Sequence, residues 1–208
     1  MPEITAPMEI EKRSFEIITE LLGERVLDPE NEAVIKRVIH TSADFDYADT
    51  LAFSEHAVSK GIAALRSGCD IVTDTQMAKA GINKRILESL GGEVHCFMSD
   101  PDVAAEAKSR GVTRAMVSME KAAKLLKPCI YAIGNAPTAL FTLRKLLDAG
   151  KLNAVLIIGV PVGFVNVVES KELILNADIP YIVARGQKGG STIAAAICNA
   201  MLYQIRRG

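Results

Sequence analysis

Six short apolar runs recur along this chain: LAF (51–53), DIVT (70–73), VHCF (94–97), CIYAI (129–133), AVLIIG (154–159) and YIVA (181–184). Stretches with helical spacing lie between them, at roughly 55–67, 84–90, 101–109, 113–126, 137–148 and 169–176, and a last one follows at 191–205. Strands that alternate with helices need crossover connections, which build a parallel sheet covered on both sides. The pattern predicts an α/β fold: a doubly wound, mostly parallel sheet of five to six strands with helices on both faces. No linker, repeat or low-complexity stretch interrupts it, so residues 1–208 read as a single domain.

An N-terminal helical segment precedes the alternation. Its first helix is expected over 8–22, ending near Gly23. A second is expected to begin at Asp28-Pro29-Glu30, which offers an N-cap residue, a proline at the first helical position and an acid in the first turn. Val34, Ile35, Val38 and Ile39 form its apolar stripe, which puts His40 in the last turn or just beyond.

Composition removes several function classes. The formal net charge is −1, without the basic excess of a nucleic-acid binder. The longest apolar run, AVLIIGVPVGFVNVV (154–168), is broken by Pro161 and Gly163 and is too short to span a bilayer. The N-terminus, MPEITAPMEIEKRSFEII, carries no apolar signal core. Cys69, Cys96, Cys129 and Cys198 are scattered through apolar stretches with no CxxC pair, as expected of free thiols in a reduced, cytoplasmic protein. With no Trp and 5% aromatic residues, the core is expected to be built of small aliphatic side chains.

The unusual residues collect where strands run into helices, which is where open α/β sheets bind ligands. Gly134 and Asn135 follow CIYAI, Asp74-Thr75 follow DIVT, and RGQKGGS (185–191) follows YIVA. These read either as ordinary turns or as the rim of a binding site. In RGQKGGS, Gly189 and Gly190 let the backbone approach a ligand, and Ser191 is placed to cap the last helix. Arg185 and Lys188 add positive charge beside the helix N-terminus, a combination suited to carboxylate or phosphate. Neither a Walker A order nor an early GxGxxG is present.

His40 reads either as a helix-terminal side chain satisfying a carbonyl or as a group that moves protons near neutral pH. A helix C-terminus, Asp44 or Asp46 would each favour its cation. His56 and His95 are weaker candidates, and no metal-binding or nucleophile motif appears. Arg13, Arg85 and Arg114 read as solvated side chains or anion contacts. Ser14 reads as an interhelical hydrogen bond or a ligand contact.

Taken in order, RSFEII (13–18), RVIHTSADFDY (37–47), IVTDTQMAKAGI (71–82), IGNAPTAL (133–140), PVGFVNVVESKELI (161–174) and RGQKGGSTIAAAICNA (185–200) resemble the precorrin-8X methylmutase family, in its metal-free and cobalt-dependent forms. The resemblance spans nearly the whole chain and implies an isomerase of corrin-ring biosynthesis. Such an enzyme moves a methyl group from C-11 to C-12 of the macrocycle, giving hydrogenobyrinate or cobyrinate, without a cofactor. It implies that His40 is the catalytic proton donor and acceptor, with Thr41, Ser42 and Asp44 orienting it. Ser14, Thr41, Ser42, Arg85, Arg114, Gly134, Asn135, Arg185, Lys188, Gly189, Gly190 and Ser191 are the implied contacts to a carboxylated tetrapyrrole. Gln187 departs from the pattern, which implies a second basic residue there. The resemblance also implies a homodimer with its pocket near the subunit interface. A nucleotide or phosphosugar enzyme and a non-catalytic tetrapyrrole carrier are the alternatives on this kind of fold.

Overall fold

The computed structural model describes residues 5–207; residues 1–4, the start of the stretch read above for a signal core, lie outside them. The elements are α1 (Pro7–Leu22), α2 (Glu32–Ser42), α3 (Tyr47–Thr50), β1 (Leu51–Phe53), α4 (Ala57–Arg66), β2 (Asp70–Thr73), α5 (Gln76–Gly81), α6 (Lys84–Ser89), β3 (Val94–His95), α7 (Pro101–Arg110), α8 (Arg114–Ala122), β4 (Cys129–Ile133), α9 (Pro137–Asp148), β5 (Ala154–Gly159), α10 (Val167–Leu175), β6 (Tyr181–Ala184) and α11 (Ser191–Arg207). Every apolar run forms a strand, although the third pairs only over Val94–His95.

The six strands make one sheet in the order β1-β6-β5-β4-β2-β3. Pairing is parallel throughout except at the edge, where β1 runs antiparallel to β6 with Leu51 opposite Ala184. The parallel strands follow one of the two common doubly wound orders, with its switch point between β2 and β4. Alternation within the strands divides the core in two. Ile71, Ile130, Ala132, Leu156, Ile158 and Ile182 pack with α1, α2, α4 and α11. Val72, Tyr131, Ile133, Ile157 and Val183 pack with α8, α9 and α10. Helices therefore cover both faces, and no helix among the described residues is long and apolar enough to cross a membrane.

Two local expectations are corrected. Helix α2 starts at Glu32 rather than at Asp28-Pro29-Glu30. Asp28 instead closes a turn: its carboxylate accepts from the Glu30 N–H at 2.9 Å and its carbonyl from Asn31 at 2.9 Å. Helix α5 stands in the 74–83 connection, where no helix was expected; its six residues are too few to show a helical period.

The reversed edge strand decides where the N-terminal helices end up. Because β1 is antiparallel, the residues that enter it sit at the carboxyl end of β6. Arg185 N–H donates to Thr50 O at 2.8 Å across that junction. A parallel β1 would carry α2 and α3 to the opposite edge of the sheet.

Candidate active site at the carboxyl edge of the sheet

The apolar stripe of α2 is fully used: Val34, Ile35, Val38 and Ile39 are all buried, and the helix packs on α11 and α1. That fixes the opposite register outward, so His40 is exposed in the last turn. Its imidazole stacks on the Phe15 ring of α1, with centroids 5.3 Å apart and planes at 19°. Arg37, one turn earlier, lies over Phe15 at 4.8 Å and over Tyr203 at 5.1 Å, and pairs with Glu11 at 2.6 Å. Arg37 and Thr41 line a groove of about 240 Å³, with Gly81, Thr192, Ala195 and Tyr203 on its other walls.

Thr41 and Ser42 do not orient the imidazole. Their hydroxyls donate to the carbonyls of Arg37 at 2.9 Å and Val38 at 2.8 Å, the usual back-bond of a helical Ser or Thr. Ala43 ends α2 in the left-handed region, φ 55, a conformation costing alanine about 1–2 kcal/mol. This reversal turns Asp44 and Asp46 towards the loop after β6. Lys188 Nζ meets Asp44 at 2.7 Å and Asp46 at 2.6 Å. Asp44 is thus engaged by Lys188 rather than by His40, and that ammonium holds its carboxyl below the usual range. Lys188 in turn is not a free cation of the loop, because two carboxylates occupy it.

The loop itself is built closely against the β5–α10 connection. Gly190 N–H donates to Val160 O at 2.9 Å and Gly163 N–H to Gln187 O at 3.1 Å. A side chain at Gly189 would collide with the Val160 carbonyl. Arg185 stays half-exposed, its guanidinium 3.9 Å from Glu172. Beneath the loop lies a residue the sequence reading missed. Lys171 is 1% exposed, and its ammonium donates to Gly186 O at 2.7 Å and Lys188 O at 2.8 Å. Burial pulls it down to about 8.

Ser191 occupies the first turn of α11 rather than capping it, and its hydroxyl pairs with Thr75 at 2.7 Å. The first bond of that helix runs from Ala194 N–H to Gly190 O at 3.0 Å, so the N–H groups of Ser191, Thr192 and Ile193 precede it. Gly134 is a packing glycine: a Cβ there would stand 2.7 Å from Ser191 Cα. The switch-point crevice is occupied by the protein's own Asp74. This fully buried carboxylate accepts from the N–H groups of Gly134 at 2.8 Å, Asn135 at 2.8 Å and Ala136 at 2.6 Å. Burial pushes its carboxyl up, while the three amides pull the other way. Amides that would cradle a nucleotide phosphate are committed to Asp74, which counts against the nucleotide alternative.

The remaining candidates are dispersed. Ser14 donates to Ile10 O at 2.8 Å, and Arg13 pairs with Glu16 and Glu20 along α1. Arg85 on α6 is exposed; Arg114, also exposed, opens α8 in the other helical layer. His56 binds Glu30 at 3.1 Å, and His95 binds the buried Asp70 at 3.0 Å. Among the described residues no group of three His, Cys, Asp or Glu side chains could hold a metal.

The geometry thus brings His40, the Arg185–Ser191 loop, the start of α11 and the Gly134 turn to one edge. Comparison with known proteins meets this arrangement at full length. The family model for precorrin-8X methylmutase matches residues 9–204. The cobalt-precorrin-8 methylmutase of Salmonella typhimurium is 46% identical, with 99% of each chain aligned. The precorrin-8X methylmutase of Pseudomonas aeruginosa is 43% identical over 82% of each chain. The crystal structure of precorrin-8x methyl mutase from Thermus thermophilus superposes with a TM-score of 0.88 at 36% identity, covering 96% of this chain and 98% of that one. On sequence and fold together, this chain belongs to the precorrin-8X methylmutase family.

Proposed function

We propose that this chain is a methylmutase of cobalamin biosynthesis, an isomerase acting as a single domain over residues 1–208. It moves a methyl group from C-11 to C-12 of precorrin-8, with or without cobalt in the ring, to give hydrogenobyrinate or cobyrinate. Family membership supports the reaction. The observation that carries the assignment to this edge is the double ion pair of Lys188 with Asp44 and Asp46, which ties the turn after His40 to the loop below α11.

In this reading His40 protonates and deprotonates ring C while the methyl group makes a suprafacial [1,5] shift. No covalent intermediate and no cofactor are invoked: holding the ring in a reactive geometry lowers the barrier, and His40 supplies the proton transfers. Arg185 and the N–H groups at the start of α11 receive acetate and propionate arms. Thr41 lines the adjoining groove, and Gly134, Gly189 and Gly190 shape the floor of the site. Ser14, Ser42, Asn135, Arg85 and Arg114 remain candidate contacts for outlying arms. The groove of about 240 Å³ is smaller than ligand pockets of about 300–1,000 Å³ usually are, which supports a pocket completed in a homodimer. We place the enzyme in the cytoplasm, in line with its four free thiols.

The test is turnover of metal-free and cobalt-containing precorrin-8 side by side, followed by the visible spectrum of the corrin product. His40→Ala is expected to keep a coloured, bound macrocycle while kcat falls by at least about 100-fold. Normal turnover by that variant removes His40 from the mechanism. A wild-type protein that binds the product but converts neither substrate is a carrier.

A further inference from the structure

We propose that Lys171 is a positioning residue for this reaction: from under the Arg185–Ser191 loop, its buried ammonium sets the shape in which the loop meets ring carboxylates. The inference rests on the carboxylate-binding reading of that loop given above.

Lys171 projects from α10, which begins at Val167. Its Nζ gathers the carbonyls of Gly186 and Lys188, on either side of Gln187, to within 2.8 Å of one point. A trans peptide directs its C=O and N–H oppositely. Turning those two carbonyls inward therefore turns the N–H groups of Gln187 and Gly189 outward, away from Lys171. Two donors aimed outward, with a cation behind them polarising their peptide groups, make a concavity for anions. The same constraint brings the Gln187 carbonyl within reach of Gly163 N–H, which links the loop to the β5–α10 connection.

Stability does not explain a lysine here. An ammonium taken out of water without a carboxylate partner is costly, and an apolar side chain of similar volume is usually as good for the fold or better. Lys171 has no carboxylate partner among the described residues. The charged groups nearby are used elsewhere: Glu169 is exposed on its own helix, Glu172 faces Arg185, and Lys188 is held by Asp44 and Asp46. Burial alone lowers the ammonium, to about 8, so the cation predominates at neutral pH. The two carbonyls it binds belong to exposed residues, so without the ammonium the loop can rearrange to turn them to water. What the side chain adds is the geometry of that loop.

The experiment compares the full-length wild type with Lys171→Met, Lys171→Arg and Arg185→Ala. Loop order is read without substrate, from amide exchange at Gly190 and Gly163, whose N–H groups make the two backbone bonds between the loop and the β5–α10 connection. Lys171→Met is expected to exchange there about tenfold faster or more, with a melting temperature no lower than wild type. Its KM for precorrin-8 is expected to rise about tenfold or more while kcat holds. Lys171→Arg, which keeps a cationic donor, recovers part of both effects. Unchanged exchange overturns the inference, as does a parallel loss of melting temperature, kcat and KM. Faster exchange with a normal KM in Lys171→Met overturns it too, provided Arg185→Ala raises KM. If Arg185→Ala itself binds normally, the carboxylate reading of the loop is what fails.

Discussion

At the scale of single residues, the site is organised less by His40 than by the groups that hold its surroundings. Lys188 was expected to face the ligand, yet it ties the turn after α2 to the loop after β6. The hydrogen bond from Lys188 depresses the Asp44 carboxyl, partial burial opposing it. A depressed carboxyl contributes stability that is present above its ordinary pKa, near 3.9, and lost as pH falls through the folded value. The tether is therefore closed at neutral pH and opens only in acid. Carboxyl titration by NMR should place Asp44 below the ordinary range, and Lys188→Met should return it there. The melting temperature should change little, because Lys188 and Asp46 are 48% and 67% exposed and exposed pairs are weak. An Asp44 midpoint that ignores the substitution means that the pair does not form in solution.

Among the elements, the Asp74 turn after β2 does most to separate this molecule from nucleotide-binding members of its fold class. Three backbone N–H groups at the switch point converge on one buried carboxylate, which also fixes the Gly134 turn against the start of α11. Removing the acceptor leaves buried donors unsatisfied, at about 1–3 kcal/mol for such a group. Asp74→Ala is accordingly expected to lose roughly 2–4 kcal/mol in denaturant unfolding, since water will satisfy part of the gap. Asp74→Asn should also destabilise, because its amide presents donors to donors. A wild-type midpoint in either variant would mean that the turn does not depend on this carboxylate. None of this is legible locally, since Asp74 and its partners lie about sixty residues apart in sequence. The strands were legible, because short apolar runs between helical periods leave few alternatives, and so was the place of His40 in the last turn of α2. The antiparallel sense of β1 was not: three residues carry no sign of direction. Lys171 escaped notice because VVESKELI reads as an ordinary helix with a solvated lysine. Its burial depends on a loop fifteen residues further on.

For the whole molecule, the cysteines report whether the two helical layers open together. Cys69 and Cys198 lie in the core beneath α2, α4 and α11, whereas Cys129 lies in the core beneath α8, α9 and α10. All four are free and buried. Burial pushes the thiols of Cys69, Cys129 and Cys198 up to about 12 and raises Cys96 in the same direction. Thiolate is the reactive form, so at pH 8 both access and ionisation protect them in the folded chain. A disulfide-exchange reagent should leave the native protein unlabelled and titrate four thiols only once denaturant is added. Because the sheet separates the two cores but belongs to both, labelling of Cys69, Cys129 and Cys198 should follow one transition, coincident with loss of secondary structure. Labelling of Cys129 at lower denaturant than Cys198 would show that the α8–α10 layer detaches first. The His40 edge and the Lys171 loop would then belong to separately opening units, since α2 packs in the first layer and α10 in the second. Coincident labelling instead requires that the two sides of the site, joined by Lys188, Asp44 and Asp46, stand or fall with a single cooperative core.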